Sequence, residues 1–533
     1  MDSILTFLLI WGVWLITPVL VDGIETVGRL LIVKTRRRKH ALDTRPLRDD
    51  ELPSVSIIVP AHNEAAVIDR CLNSIKAQDY PHDKLEIIVV DDGSTDGTAA
   101  RVEEHVNSSG SAEWGDIALA EEPGTNGQFR LRGKPIRVGE YQGRFELIKN
   151  GHQGKAHALN AGIAASSGEI VVNIDSDVVL AHDAVRAIAT AFHRQPELGA
   201  ATGNVEVDWE ILEKRDSLGN LVLDDNGDIV PKDLSLMEKF LVKSQFLEYL
   251  SSFDLGRRAQ AITQTMYTLA GACSAFRRSA LSNGCRYSNT TVSEDTCLTF
   301  QLHRQGVQVG FVDDAKVYLE PVTDWDSLYA QRVRWTRGQL EVCGLNSDII
   351  GRQETRLFGR FALPKMLLLD HTLAFPRLIW APLLMFFPVI GYSWRIVAVA
   401  GIAMYLFYLL IEIVNAFAVF GIADEHTRSR LEQCGWTLVG LPAYRFIVFH
   451  FRFSGFLVTL REEQQWTMEG PMRTAQSDFR RAQLRSIEFM TGTFTVFAAA
   501  FVRIMRVAAT VIAPLMFGIV IVLRWFESLR RNV

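Results

Sequence analysis

Four short, β-branched apolar runs alternate with helix-period segments between residues 55 and 174, and this alternation narrows the fold more than any other feature of the chain. The runs occupy residues 55–59, 85–90, 145–148 and 169–174. Between them, residues 64–78 place Ala65, Ile68, Leu72 and Ile75 at helical spacing, and residues 98–105 and 155–165 read as further helices. Strands that are apolar on both faces must be covered on both faces, so the pattern predicts a mostly parallel sheet with helices on either side. Ligands of such sheets collect beyond the carboxyl ends of the strands. Acidic clusters stand at those ends: Asp91-Asp92 closes one run, and Asp175-Ser176-Asp177 closes another.

The chain has 533 residues and is 48% hydrophobic, but its apolar residues are unevenly spread. They crowd into residues 4–33 and again beyond about residue 372, leaving a middle of soluble composition. Residues 4–21 carry no charge, and a basic run follows at Lys34, Arg36, Arg37, Arg38 and Lys39. Positive residues beside a span stay in the cytoplasm, which predicts an outside N-terminus and a cytoplasmic middle. A cleaved signal peptide is disfavoured, because the extreme N-terminus lacks Lys and Arg. Further spans are expected at residues 375–391, 396–420 and 507–525. Residues 436–460 are apolar but hold Arg445, His450 and Arg452, so they line a pathway or lie in the interface. The expectation is roughly four to six crossings. Residues 352–370 mix Phe358, Phe361, Leu363, Met366 and Leu367 with Arg356, Arg360 and Lys365, as an interfacial amphipathic helix would; an ordinary core-packing helix is the alternative. A net charge of −5 gives no global attraction to nucleic acid. Six cysteines without a CxxC pair suit a reducing compartment and small buried positions.

Asp175 and Asp177 form a DxD at a strand end. Two carboxylates so spaced can share a hard divalent cation that bridges diphosphate oxygens and stabilises a leaving group. Glu294-Asp295 precedes a helix-like run, and a carboxylate there can take the proton of an attacking hydroxyl. Ser293 as a helix cap is the structural alternative. Further on, Gln331-Arg332-Val333-Arg334-Trp335 supplies planar cationic forks suited to phosphate and an aromatic face suited to a sugar ring. Lys155 stands ready to neutralise a diphosphate, although the P-loop spacing is absent. Small residues at Gly271-Ala272-Cys273-Ser274-Ala275 allow backbone to lie close to a ligand. His152 and His157 lack a third ligand nearby in sequence and do not read as a zinc site. Asn226-Gly227 between apolar pairs predicts an inserted β-hairpin over residues 211–235.

Taken in order, Pro60-Ala-His-Asn-Glu64, Asp91-Asp92-Gly-Ser94, Gly154-Lys-Ala-His-Ala-Leu-Asn160, Asp175-Ser-Asp177, Glu294-Asp295 and Gln331-Arg-Val-Arg-Trp335 resemble the inverting, processive membrane glycosyltransferases of family 2. That group includes synthases of cellulose, chitin, hyaluronan and poly-N-acetylglucosamine. The resemblance implies an α/β, Rossmann-like GT-A domain in the cytoplasm, inserted between transmembrane α-helices. It also implies a UDP-sugar donor, Mg2+ or Mn2+, a growing polysaccharide as acceptor and export through the membrane helices. Carried over by position, Glu64, Asp91 and Asp92 would contact the uridine, and Lys155, Asp175 and Glu294 would line the donor site. Asp175 and Asp177 would hold the metal, and Asp295 would be the general base. Gln331, Arg332, Arg334 and Trp335 would hold diphosphate and acceptor end. The implied layout is an N-terminal transmembrane segment at 1–34, a basic linker at 35–52 and a catalytic domain at 53–345. An interfacial helix at 346–371 and a transmembrane region at 372–533 follow. UDP-N-acetylglucosamine is the first expectation for donor and UDP-glucose the second. Transfer of a single sugar to a lipid carrier, and a transporter with a nucleotide-sensing domain, stay open as alternatives. The FxVTxK gating motif of bacterial cellulose synthases is absent; residues 466–473 hold a comparable place.

Overall fold

A computed structural model describes residues 17–40, 45–108, 120–121, 129–132, 141, 143–215, 222, 230–282, 284–352, 355–367, 387–391 and 393–459. The expected spans at 4–21 and 375–391 fall largely outside these residues, and the one at 507–525 and the Asn226-Gly227 turn fall wholly outside them. The chain divides into two compact units. One comprises residues 28–321 with 415–437, and the other residues 1–27, 322–414 and 438–533.

The first unit is built on a ten-stranded sheet. Its strands are β1 (Val55–Ala61), β2 (Leu85–Asp92), β3 (Ala120–Glu121), β4 (Phe129–Arg132), β5 (Arg144–Asn150), β6 (Ile170–Ile174), β7 (Val178–Leu180), β8 (Leu198–Val207), β9 (Cys273–Arg277) and β10 (Gln308–Leu319). They lie in the order β3-β4-β5-β2-β1-β6-β9-β8-β10-β7. The expected parallel core is present, with β5, β2, β1 and β6 paired in parallel. The sheet as a whole is mixed, because β9 runs antiparallel to both β6 and β8. Every residue of β1 and β2 is buried, as apolar runs covered on both faces should be.

Helices α1 (Thr17–His40), α2 (Ile68–Lys76), α3 (Thr98–Ser108), α4 (Lys155–Ala165) and α5 (Ala184–Arg194) precede α6 (Leu236–Tyr249). A π-helical stretch, Leu250–Leu255, joins α6 to α7 (Gly256–Thr263), and α8 (Arg278–Ser282) and α9 (Glu294–Arg304) follow. α2 starts later than its periodicity predicts. Asn63 turns the chain at φ 57°, and residues 63–65 are strapped to the loop after β2 through Ser94, Asp96 and Thr98. α4 lies so close to β1 that a Cβ on Gly162 would come within 2.4 Å of Ile58 Cγ2. Only glycine fits there, and the contact sets where Lys155, at the head of α4, must sit. The insert at 211–235 closes as an antiparallel pair: Lys214 N–H donates to Val230 (2.8 Å) and Lys232 N–H to Leu212 (2.8 Å).

In the second unit, α10 (Trp325–Leu345) starts at an Asp324 cap that accepts from Ser327 N–H (2.8 Å). α11 (Trp394–Ile422), α12 (Glu425–Glu432) and α13 (Gly435–Thr459) follow, although α12 itself and the adjoining ends of α11 and α13 belong to the sheet unit. Within residues 355–367, Phe358, Leu363 and Met366 are buried while Leu357 and Phe361 are exposed. The expected amphipathic segment is thus partly a packing element. Glu412 of α11 is buried and pairs with Arg445 of α13 (3.0 Å), so these two charges within otherwise apolar helices neutralise each other.

Candidate active site

The acids at the strand ends do not all do the same work. Asp92 is buried, and both its oxygens accept backbone N–H groups, from Gln153 (2.9 Å) and Gly154 (2.8 Å). It therefore ties the end of β2 to the turn that leads into α4. Asp91 is buried beside it and accepts from Ser94 N–H (3.3 Å). Gly93, between these acids and the loop, has φ +72° and faces His152, so the turn needs glycine twice over.

Lys155 Nζ lies 2.6 Å from Asp175 Oδ1 and 3.5 Å from Glu294 Oε1. Burial pulls its pKa down, but Asp175, Glu294 and Asp295 outweigh that and hold it above the usual lysine value. Glu294 is buried, and its pKa is raised chiefly by that burial. Burial, then Asp177 and Asp175, push Glu64 up to about 7. The surrounding protein and then Asp175 push Asp177 up to about 6. Glu64, Asp175 and Asp177 thus crowd negative charge that Lys155 only partly offsets. That excess of hard oxygen donors suits a divalent cation such as Mg2+ or Mn2+.

Asp295 lies in the first turn of α9 rather than before it. Ser293 occupies the capping position, but its hydroxyl donates to Asp295 Oδ1 (3.0 Å) instead of accepting a backbone N–H. Thr296 N–H also donates to Oδ1 (2.6 Å). The other oxygen, Oδ2, faces Gly271. A Cβ built on Gly271 would stand 3.6 Å from Asp295 Oδ2, 3.4 Å from Asp175 Oδ2 and 3.6 Å from Lys155 Nζ. One glycine thus marks the point on which three of the expected site residues converge.

The turn carrying Gly271 is held from three directions. Asn173 of β6 donates to its carbonyl (3.3 Å). Thr299 of α9 accepts from Leu269 N–H (3.0 Å) and donates to the Asp295 carbonyl (2.7 Å). Thr202 of β8 accepts from Ala270 N–H (3.2 Å) and donates to the Cys273 carbonyl (3.0 Å). Arg257 in turn donates to Thr202 (3.1 Å). It is buried with no carboxylate partner among the described residues, and burial, opposed by Asp295, lowers its pKa to about 10. The small-residue run pointed to Gly271, but no local pattern pointed to Thr202 or Arg257.

Gln331, Arg332, Arg334 and Trp335 lie on α10, in the other unit. Arg332 is buried, and its guanidinium stacks on the Trp335 ring at 4.4 Å, so one face of that indole already has a cationic neighbour. Gln331, Arg334 and Trp335 are half-buried. The six cysteines are all free and buried, as expected.

Residues 56–129 and 137–284 match the description "Glycosyl transferase family 2", and residues 241–420 match "Glycosyl transferase family group 2". The chain is a glycosyltransferase with a family 2 domain, and its Rossmann-like sheet is the GT-A core of that domain. Among particular proteins it resembles the poly-β-1,6-N-acetyl-D-glucosamine synthase of Staphylococcus aureus (strain COL), with 26% identity over 347 residues, 65% of this chain and 69% of that one. The synthase of Staphylococcus epidermidis is 26% identical over 315 residues, 59% of this chain and 58% of its own length. Solved structures with a partial likeness include a mannosyltransferase from Pyrobaculum calidifontis in complex with GDP-Man and Mn2+ (TM-score 0.47, 18% identity, 84% of this chain and 100% of that one). Residues 1–349 of S. aureus TarS in complex with UDP are another (TM-score 0.34, 14% identity, 75% and 92%).

Proposed function

We propose that this glycosyltransferase moves N-acetylglucosamine from UDP-N-acetylglucosamine to the end of a growing β-linked polysaccharide at a membrane, and passes the polymer outward. The carrying observation is the convergence of Lys155, Asp175 and Asp295 on Gly271. The names of the relatives support the sugar and a β-1,6 linkage. Among the described residues one helix, Val397–Ile422, is long and apolar enough to cross a membrane, and nearly all of its residues are exposed or half-buried. This supports a membrane setting, with the sheet unit in the cytoplasm where UDP-sugars are at hand.

In this reading Asp295 Oδ2 takes the proton from the acceptor hydroxyl. Its partner oxygen, loaded with donors from Ser293 and Thr296, keeps the carboxylate aimed. The hydroxyl attacks the anomeric carbon from the face opposite UDP, so an α-linked donor gives a β-linked product. Lys155 carries positive charge to the departing diphosphate. Asp175 and Asp177 would hold the divalent ion, which supplies Lewis-acid stabilisation of the leaving group when bound. Glu64, Asp91 and Asp92 border the nucleoside.

The test is incubation of membranes containing the full chain with a panel of radiolabelled UDP-sugars, with and without chelator. Polymer made from UDP-N-acetylglucosamine, lost on chelation, is the expected outcome. Polymer from UDP-glucose alone would replace the donor. Products of one sugar on lipid would overturn polymerisation, and binding without UDP release would overturn transfer altogether.

A further inference from the structure

His152 gains in the fold what it lacks in the sequence. His62 follows β1, Asp92 ends β2 and His152 follows β5, so three neighbouring parallel strands bring the two imidazoles and the carboxylate to one edge. One ligand atom from each lies within 4.8 Å of the others. The rings stack with centroids 4.3 Å apart and planes at 27°. Both Nδ1 atoms point at Asp92: His62 Nδ1 lies 2.9 Å from its carbonyl oxygen, and His152 Nδ1 lies 3.1 Å from that oxygen and 3.0 Å from carboxylate Oδ2. Oxygen acceptors on that side place a proton on each Nδ1.

We propose that these residues form a second cation site, for a borderline transition metal ion of the Zn2+ class, distinct from the Asp175–Asp177 pair. Two nitrogen donors with one carboxylate suit such an ion, whereas Mg2+ seeks oxygen. Ligand atoms around a tetrahedral ion with bonds of about 2.0 Å stand roughly 3.3 Å apart. The His152 Nδ1 to Asp92 Oδ2 separation is already near that value. The ion takes the place of the Nδ1 protons. Each imidazole then carries its proton on Nε2, and His62 gives up its contact with Asn63 Nδ2 (3.2 Å). Both rings are exposed, so they can splay to close the set, and Asp92 is anchored by two backbone donors. Occupancy would obstruct the donor, because Asp92 borders the proposed nucleoside position. That inhibitory consequence rests on the proposed function; the metal site itself does not.

The test uses the full chain in detergent, without a polyhistidine tag and with excess Mg2+. Zn2+ is titrated calorimetrically, and metal content is measured after desalting. The expected result is one tightly held Zn2+ per chain, weakened at least about tenfold in His62→Gln and in His152→Gln, and retained in Asp177→Ala. Unchanged Zn2+ binding in both histidine variants, or loss in Asp177→Ala, overturns the site. Because both rings are exposed, matching thermal unfolding midpoints show that the variants are folded. Competition with UDP-N-acetylglucosamine is read separately. Zn2+ bound without effect on donor affinity overturns the inhibition and leaves the metal site standing. Failure of the donor itself to bind overturns the proposed function instead.

Discussion

At the scale of single residues, the site depends on which oxygen of Asp295 is left to react. Its side-chain hydrogen bonds land on Oδ1, so Oδ2 is the atom presented beside Gly271. Asp295→Asn keeps the shape and removes the base, and should lower metal-dependent UDP release by about 10²–10⁴-fold. Release at the unmodified rate would remove Asp295 from the mechanism. Gly271→Ala tests the space itself. Its Cβ would sit at ordinary contact distances of 3.4–3.6 Å, so the protein should fold with an unchanged unfolding midpoint. The methyl group would occupy the point where three charged groups converge, and turnover should fall by about tenfold or more. Full activity would show that substrate does not approach there. Asp295 was legible from sequence because an acid pair stood at a helix start. Thr202 and Arg257 were not, because β8 and α7 reach the Gly271 turn only through tertiary packing.

Elements carry a different kind of constraint. α9 holds the candidate base at one end and buried His303 near the other. Burial lowers the His303 pKa to about 4, against an unfolded value of 6.5, and its Nε2 lies 2.8 Å from the Met266 carbonyl. The folded state thus keeps this ring neutral while the unfolded chain takes up a proton below pH 6.5. Stability is fully present above 6.5 and is lost as pH falls toward 4, by on the order of 3 kcal/mol. Thermal unfolding of His303→Gln should show a flatter dependence across that window; an identical slope would assign the loss elsewhere. α10 and α13 make a second pair. A Cβ on Gly455 of α13 would come within 2.9 Å of Thr336 Cβ and of the Val333 carbonyl on α10. Tyr329 meets Phe451 edge-on at 5.2 Å. The helix bearing Gln331 to Trp335 therefore rests directly on an apolar helix. Gly455→Leu should overpack this contact, cost about 1–3 kcal/mol and lower the unfolding midpoint. An unchanged midpoint would mean that the helices are not tightly apposed.

For the molecule as a whole, the stretch between α11 and α13 returns to the sheet unit. Arg430 of α12 pairs with Asp208 (2.6 Å) and Glu210 (3.0 Å), and Lys316 joins Glu206 (2.7 Å) to Asp424 (2.6 Å). Arg430 and Asp208 are both buried, and such a pair is costly to break, about 3–5 kcal/mol when one partner is removed, whereas Glu210 and Asp424 are exposed. The end of α11 and the start of α13 are thereby fastened to the unit that holds the candidate base. If that unit is cytoplasmic, a cysteine at exposed Glu432 should react with a membrane-impermeant thiol reagent in inside-out vesicles and not in intact cells. The native cysteines are buried, so background labelling should be low. Labelling in intact cells would reverse the orientation.

The parallel core, its buried strands and the acids at their ends were written locally, because strand periodicity and strand-end chemistry are properties of neighbours along the chain. The antiparallel course of β9 was not, since an apolar run looks the same in either direction. Nor could periodicity show that Asp92 would spend both oxygens on backbone donors from residues 153 and 154. The junction of His62, Asp92 and His152 depends on three strands adopting one register. Such contacts join residues far apart in sequence, and only the packing of the folded chain decides them.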